Sequence, residues 1–474
     1  MPRQTAHARE KGERIGKAMS RGLAGWKERF FAPVDGASLA LFRILFGAVI
    51  LFEAWRYETN NWIEDKFLFP SFRFSYHGFE WVDPLPPFLM LWVTKFLAVF
   101  AFLVMVGLFF RVAAIGMLTL FSYIFLLDKA QYLNHFYFTI LLAFVLAVIP
   151  AHRVWSLDRL RGAVAGPPVM PAWSLWLARG QMEIMLLWAG IVKLNADWLN
   201  GLPLHAWLAK DAPDYPGLIG ELLLSPDFGV LAAWGAALLH LVGAPLLLIP
   251  RVRVVVFFVY VGFHMSNHFL WEIGIFPWLT IVGTTLFLDA SWPRRLMGKA
   301  PVVPQAKTEV FKPSFVIAGF VGLWLVSQAL LPVRPYLYDG NVAWNEQGHR
   351  FSWRMKLRDK EGEIAFRVVD PASGKVWPIN LEDYLDGRQA RKMVARPDMI
   401  LEFAHYLRDH FKHQHALGEV QVFARSFMSV NGRPMERFLA PDLDLAKVER
   451  TFVKQDDWIE PYSEDSRLKQ KVVP

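Results

Sequence analysis

Cysteine is absent from all 474 residues. That excludes disulfides, thiolate nucleophiles, Cys-bound zinc and iron–sulfur clusters, and it leaves the redox compartment undetermined. Charge is scarce as well: Asp, Glu, Lys and Arg make up 20% of the chain, against about a quarter in soluble domains. With 54% hydrophobic residues, 39 Phe and 20 Trp, this composition argues against a soluble enzyme. The first thirty residues do not read as a cleavable signal peptide. The opening segment carries Arg3, Arg9, Lys11, Arg14, Lys17, Arg21, Lys27 and Arg29 without an apolar core. No internal repeat is present, so the inverted-repeat plan of many secondary transporters has no support. The net charge of +8 has to be tested as a topology signal before nucleic acid is invoked.

What the chain does have is a series of apolar runs, at 36–55, 88–110, 112–127, 136–150, 173–193, 228–249, 252–271, 273–290 and 314–331. Most approach the roughly 20 residues that cross a bilayer core. Arg111, then Arg153, Arg159 and Arg161, then Arg251 and Arg253, then Arg294, Arg295 and Lys299 fall in alternate loops, together with the basic N-terminus. The first intervening loop is acidic, with Glu58, Glu64, Asp65, Glu80 and Asp83. The positive-inside rule then predicts a cytoplasmic N-terminus and an external C-terminus. The expected fold is a polytopic α-helical membrane protein of about nine transmembrane helices with a small C-terminal α+β extracytoplasmic domain. Its parts are a basic cytoplasmic segment 1–30, a transmembrane domain 31–332 and a β-rich domain 333–474. Within the last, 364–369, 375–379 and 420–430 read as strands, Asn431-Gly432 as a hairpin turn, and 399–410 as a helix on the sheet.

Ionisable groups inside apolar runs are functional hypotheses by default. Lys193 ends the fifth run and shares a helical stripe with Arg179, Met182, Leu186, Ala189 and Gly190. Small residues there admit another helix or a flat ligand. Two readings stay open: a lysine snorkelling above Trp198, or a neutral amine acting as a base. Asn134 and His135 lie in a short loop on the same side of the membrane. His264, His268 and Glu272 share one helix face and have metal-ligand spacing. Membrane di-iron sites need further histidine boxes, so hydrogen bonding is preferred and no metal is expected. Arg179 and Glu183, four apart, read as a buried ion pair.

Several stretches, in order, resemble one known family. They are Ala37-Ser38-Leu39-Ala40-Leu41-Phe42-Arg43, Phe125-Leu126-Leu127-Asp128-Lys129 with Asn134-His135, Leu177-Ala178-Arg179-Gly180-Gln181 and Lys193-Leu194-Asn195-Ala196-Asp197-Trp198. Phe263-His264, Asn267, Ile273-Gly274, Ser291-Trp292-Pro293-Arg294, Phe351-Ser352-Trp353 and Ser429-Val430-Asn431 follow. Over about 31–463 the chain is similar to the vitamin K-dependent γ-glutamyl carboxylases and their bacterial relatives, the horizontally transferred transmembrane domain family. The resemblance implies that Lys193 deprotonates the hydroquinone and that dioxygen adds to the resulting anion. The oxygenated quinone then takes a glutamate γ-proton, carbon dioxide adds, and the quinone leaves as its epoxide. Asn134 and His135 would position that chemistry. Contacts to the quinone are expected from His264, Asn267, Arg179, Gln181, Tyr132 and Trp188. The implied co-substrates are reduced vitamin K or menaquinol, dioxygen and carbon dioxide, without a metal. Partners would be a glutamate-containing peptide or protein, the lipid quinone and membrane lipids, but no nucleic acid. The lack of Cys and the compact tail point to a bacterial source and hence to the cytoplasmic (inner) membrane. The chain departs from the animal enzymes at Val192, Leu186 and Tyr132, where they carry lysine, tyrosine and tryptophan. A quinol oxygenase or epoxidase that carboxylates nothing, and a non-catalytic lipid- or peptide-binding membrane protein, are the alternative readings.

Overall fold

The computed structural model describes residues 25–271, 273–302, 311–415, 417–451 and 456–463. Most of the basic segment 1–30, and Glu272 of the candidate metal triad, lie outside them.

The apolar runs form helices, the one open structure whose backbone polar groups are all satisfied internally in lipid. In chain order the principal ones are α1 (Ala37–Thr59), α2 (Pro87–Val106), α3 (Phe110–Leu126), α4 (Asn134–Val148) and α5 (Ala172–Ile191). They continue with α6 (Pro226–Leu247), α7 (Arg253–Trp271), α8 (Phe276–Phe287) and α9 (Phe315–Leu337). Five of them, α1, α2, α6, α7 and α9, are long and apolar enough to cross a membrane, whereas α3, α4 and α8 are shorter apolar helices. A two-stranded ribbon of β1 (Pro33–Asp35) and β2 (Val169–Pro171) joins the chain just before α1 to the chain just before α5.

Two arginines, Arg43 and the half-buried Arg179, complete helix ends. The last carbonyls of a helix have no partner within it and carry its negative dipole end. Arg43 on α1 is fully buried and donates to Val104 O (2.7 Å) and Met105 O (3.0 Å) at the end of α2, and to Trp155 O (2.6 Å). Gly107 follows α2 at φ +70° and lies against that guanidinium, so no side chain fits there. Arg179 does the same for α8, donating to Leu286 O (2.7 Å) and Leu288 O (2.8 Å). The expected Arg179–Glu183 ion pair is therefore not formed. Three carbonyls at a helix end occupy the guanidinium, and both carboxylate oxygens of Glu183 are buried without a hydrogen-bond partner.

The C-terminal region holds a four-stranded antiparallel sheet of β3 (Lys360–Val369), β4 (Val376–Pro378), β5 (Gln421–Val430) and β6 (Glu436–Arg437), in the order β4-β3-β5-β6. The turn after β5 holds Asn431 at φ +55° and Gly432 at φ +75°, the left-handed geometry that Asn and Gly tolerate best. Helices α10 (Gly387–Val394) and α11 (Pro397–Gln414) cover the sheet. Pro397 supplies the first turn of α11, and Ile400, Phe403, Ala404, Leu407 and Phe411 form its buried stripe. This core is shared with the helical part, because Phe74 and Ala130 belong to the same cluster as Phe403 and Val422.

Candidate functional site

The chemistry-bearing side chains gather at the end of the helical bundle covered by the sheet. α5 stops at Ile191, and Lys193 follows in a turn, only 6% exposed. Its Nζ donates to Ala189 O at 2.5 Å and lies 5.3 Å from the Trp198 ring centroid. Among the described residues no acidic side chain pairs with it. A Cβ at Gly190 would stand 2.8 Å from Leu241 and 3.0 Å from His240, so the small residue of the stripe admits a helix, α6.

His240 on α6 bonds through Nδ1 to Ala236 O at 2.7 Å, and its ring meets Phe263 edge-on at 5.3 Å. His264, one helix further on, is fully buried, and neither ring nitrogen has a partner. Its ring packs at 5.7 Å on Phe276, which in turn lies 6.1 Å from His135. Phe276 thus stands between the two imidazoles. Gly274 at φ +59° opens the same place from another side. A Cβ there would be 3.2 Å from Arg56 Nη1 and 3.9 Å from His135 Nε2. Arg56 is paired with the buried Glu53 at 2.9 Å.

Asn134 and His135 open α4. The Tyr132 hydroxyl donates to Asn134 Oδ1 at 3.0 Å and accepts from the Phe351 backbone N–H at 2.8 Å. Phe351 (φ +65°) and Trp353 (φ +56°) both sit in the left-handed region, which bulky side chains rarely enter. Such strain concentrates at functional sites. Here it accompanies two rings packed into the bundle: Phe351 lies 4.9 Å from Tyr137, and Trp353 lies 5.1 Å from Tyr137.

The structure thus places Lys193, His264, His135, Asn134 and Tyr132 at one end of the bundle, with His240 and Phe263 between Lys193 and His264 and with Phe276 between His264 and His135. The other expected contacts have partners of their own in the fold. Arg179 caps α8, 14 residues before Lys193 and roughly 21 Å away along the helix. Gln181 accepts from Trp324 Nε1 at 2.9 Å, and Trp188 Nε1 donates to Ala329 O at 3.0 Å, so both tie α5 to α9. Asn267 returns its amide to Phe263 O at 2.9 Å. No three metal-ligating side chains converge among the described residues. His240, Glu53 and Arg56 escaped the sequence reading, although His240 and Glu53 are ionisable residues inside apolar runs, the signal that singles out Lys193, and Arg56 directly follows one.

Two polar clusters fasten the sheet domain over this end. Asp197, four residues after Lys193, accepts from Asn431 Nδ2 (2.5 Å) and from Arg433 Nη2 (2.6 Å) at the hairpin tip. Lys129 pairs with Asp398 at 2.9 Å, and Arg350 pairs with the same carboxylate at 2.7 Å. Burial works against the ionised Asp398, but Arg350 and Lys129 outweigh it and hold the carboxyl well below its usual range. Burial pushes the neighbouring Asp128 up to about 6, although its oxygens accept from Ala130 N (2.8 Å) and Gln389 Nε2 (2.8 Å).

These features define a helical membrane protein with a buried amine and imidazoles beneath a small sheet domain. Residues 31–292 match the HTTM domain, and residues 313–465 match the vitamin K-dependent gamma-carboxylase lumenal domain. The first match alone covers more than half of the chain, and the chain belongs to the vitamin K-dependent γ-carboxylase family. No solved structure matches it.

Proposed function

We propose that the protein is a quinol-driven γ-glutamyl carboxylase. Oxidation of reduced vitamin K or menaquinol to its epoxide by dioxygen would drive replacement of a glutamate γ-proton by carbon dioxide. The observation that carries this reading is Lys193: a buried amine without an acidic partner, at the end of the bundle where His264 and His135 also lie. A purely structural membrane protein has no need of such a group.

In this reading Lys193 accepts the hydroquinone proton. The unbonded nitrogens of His264 suit a ligand that both donates and accepts, as a quinol hydroxyl does. The quinol supplies the reducing equivalents that dioxygen consumes. Asn134, oriented by Tyr132, and His135 face the carboxylation step, and the Phe351–Trp353 aromatics exclude water from it. The helical domain 31–332 would cross the membrane about nine times, with the N-terminus inside and the domain 333–474 outside, in a bacterial inner membrane. Reporter fusions at Gly162 and Gly374 should then report opposite faces, and the same face for both would sink that topology.

The activity is tested with purified protein, quinol, dioxygen, labelled bicarbonate and a short glutamate peptide. Label in the peptide together with epoxide supports the carboxylase. Epoxide alone makes the protein a quinol oxygenase, and neither product makes it a binding protein.

A further inference from the structure

The sheet domain buries more cations than acids where α10 meets α11. Arg396, the residue before Pro397, is only 7% exposed, and its Nη1 has no hydrogen-bond partner. Arg350 donates through Nη1 to Asp398 in the first turn of α11 at 2.7 Å, but its Nε and Nη2 are buried and unpaired. Lys392 lies one turn before Arg396, and Lys360 donates to Ala395 O at 3.0 Å. The acids of the cluster are already taken. Asp398 pairs with Arg350 and Lys129, and Glu346 pairs with Arg358 and Lys360. Among the described residues no carboxylate pairs with Arg396 or Lys392. The crowding shows in both groups: burial and then Arg350 push Arg396 down to about 10, and burial and then Arg396 push Lys392 down to about 7.

We propose that this cluster binds a small monovalent inorganic anion of chloride's size, held by the unpaired guanidinium nitrogens of Arg396 and Arg350.

The occupant follows from the donors. Buried charges in native interiors are paired, and a buried guanidinium left alone is costly. Guanidinium offers only donors, so its partner has to be an acceptor. Water accepts, but it must also place its own hydrogens on acceptors, and it cancels no charge. The nearby carboxylates are occupied by other cations. A halide accepts from several donors at once and neutralises one of the surplus charges. The unpaired nitrogens of both arginines are closed to solvent, which suits a small ion better than a peptide carboxylate whose chain would have to follow it in. Occupancy would bear on the candidate site, because Arg350 directly precedes Phe351, whose N–H holds the Tyr132 hydroxyl at 2.8 Å. The anion site does not depend on the carboxylase reading.

The test exchanges the purified full chain into gluconate in detergent and titrates sodium chloride at constant ionic strength. The thermal midpoint of the parent should rise by ~3 °C or more as the site fills, and bromide should act alike. Arg396→Gln keeps amide donors but carries no charge, so chloride should leave its midpoint unchanged. In gluconate alone the variant should unfold no lower than the parent, since it buries no unpaired cation. The ³⁵Cl resonance reports the ion without any variant: the parent should broaden it, and excess bromide should remove the broadening. A parent that leaves the resonance sharp would overturn the site, as would a midpoint that chloride raises equally in parent and variant. A midpoint raised by a glutamate peptide but by neither halide would overturn it too, and would assign the cluster to a substrate carboxylate.

Discussion

A buried amine without an acid beside it is expensive in a membrane protein, and Lys193 is one. As a base toward a hydroquinone, a phenol of pKa near 10 in water, it has to start neutral. Lys193→Arg keeps a cation but cannot supply a neutral base, because guanidinium stays protonated. Lys193→Ala and Lys193→Arg should both lose quinol oxidation, on the order of a hundredfold or more, while inserting normally. Small amines that enter the vacated space should partly restore Lys193→Ala in a quinol-oxidation assay. Failure of every amine to do so, with normal insertion, would argue for an anchoring lysine. Lys193, Asn134 and His135 were legible in the sequence because a polar group among apolar residues announces itself. Arg179 was misread for the same reason: it announces itself, but its partners are backbone carbonyls 107 and more residues away, which no side-chain pattern encodes.

Among elements, the legible parts were those with local signals. The turn residues Asn431-Gly432 marked the hairpin, and Pro397 begins a helix that runs beyond the expected 399–410. The strained Phe351–Trp353 segment had no such signal, because its left-handed backbone is imposed by docking against Tyr132 and Tyr137. The contacts from the loop after α3 to α10 and α11 carry a pH dependence with two opposite limbs. Asp398 titrates well below its usual range in the fold, so its contribution is complete above about pH 4, the unfolded carboxylate value. It is lost as pH falls below that value. Asp128 is raised to about 6, so across the window from about 4 to 6 the fold holds a proton the unfolded chain has released. Stability from Asp128 therefore falls as pH rises through that window. Thermal unfolding in detergent should show a maximum between the two limbs. Asp398→Asn should flatten the acid limb alone, and a limb that stays unchanged would remove Asp398 from the account.

At the scale of the molecule, one core joins the sheet to the loops at Phe74 and Ala130, and Asp197 binds the hairpin tip four residues beyond Lys193. On the carboxylase reading, the substrate glutamate and the quinol would have to meet at the Lys193 end of the bundle, which the sheet domain covers. The sequence could announce both parts by composition, apolar runs before about 333 and polar strands after, but not how closely they are latched. That depends on pairs such as Asp197 and Arg433, 236 residues apart. The most direct test of the carboxylase reading measures labelled carbon dioxide in a glutamate peptide and quinone epoxide in one sample, for the parent and Lys193→Arg. The account predicts both products from the parent and loss of both in the variant. Label and epoxide formed by Lys193→Arg at the parental rate would contradict it.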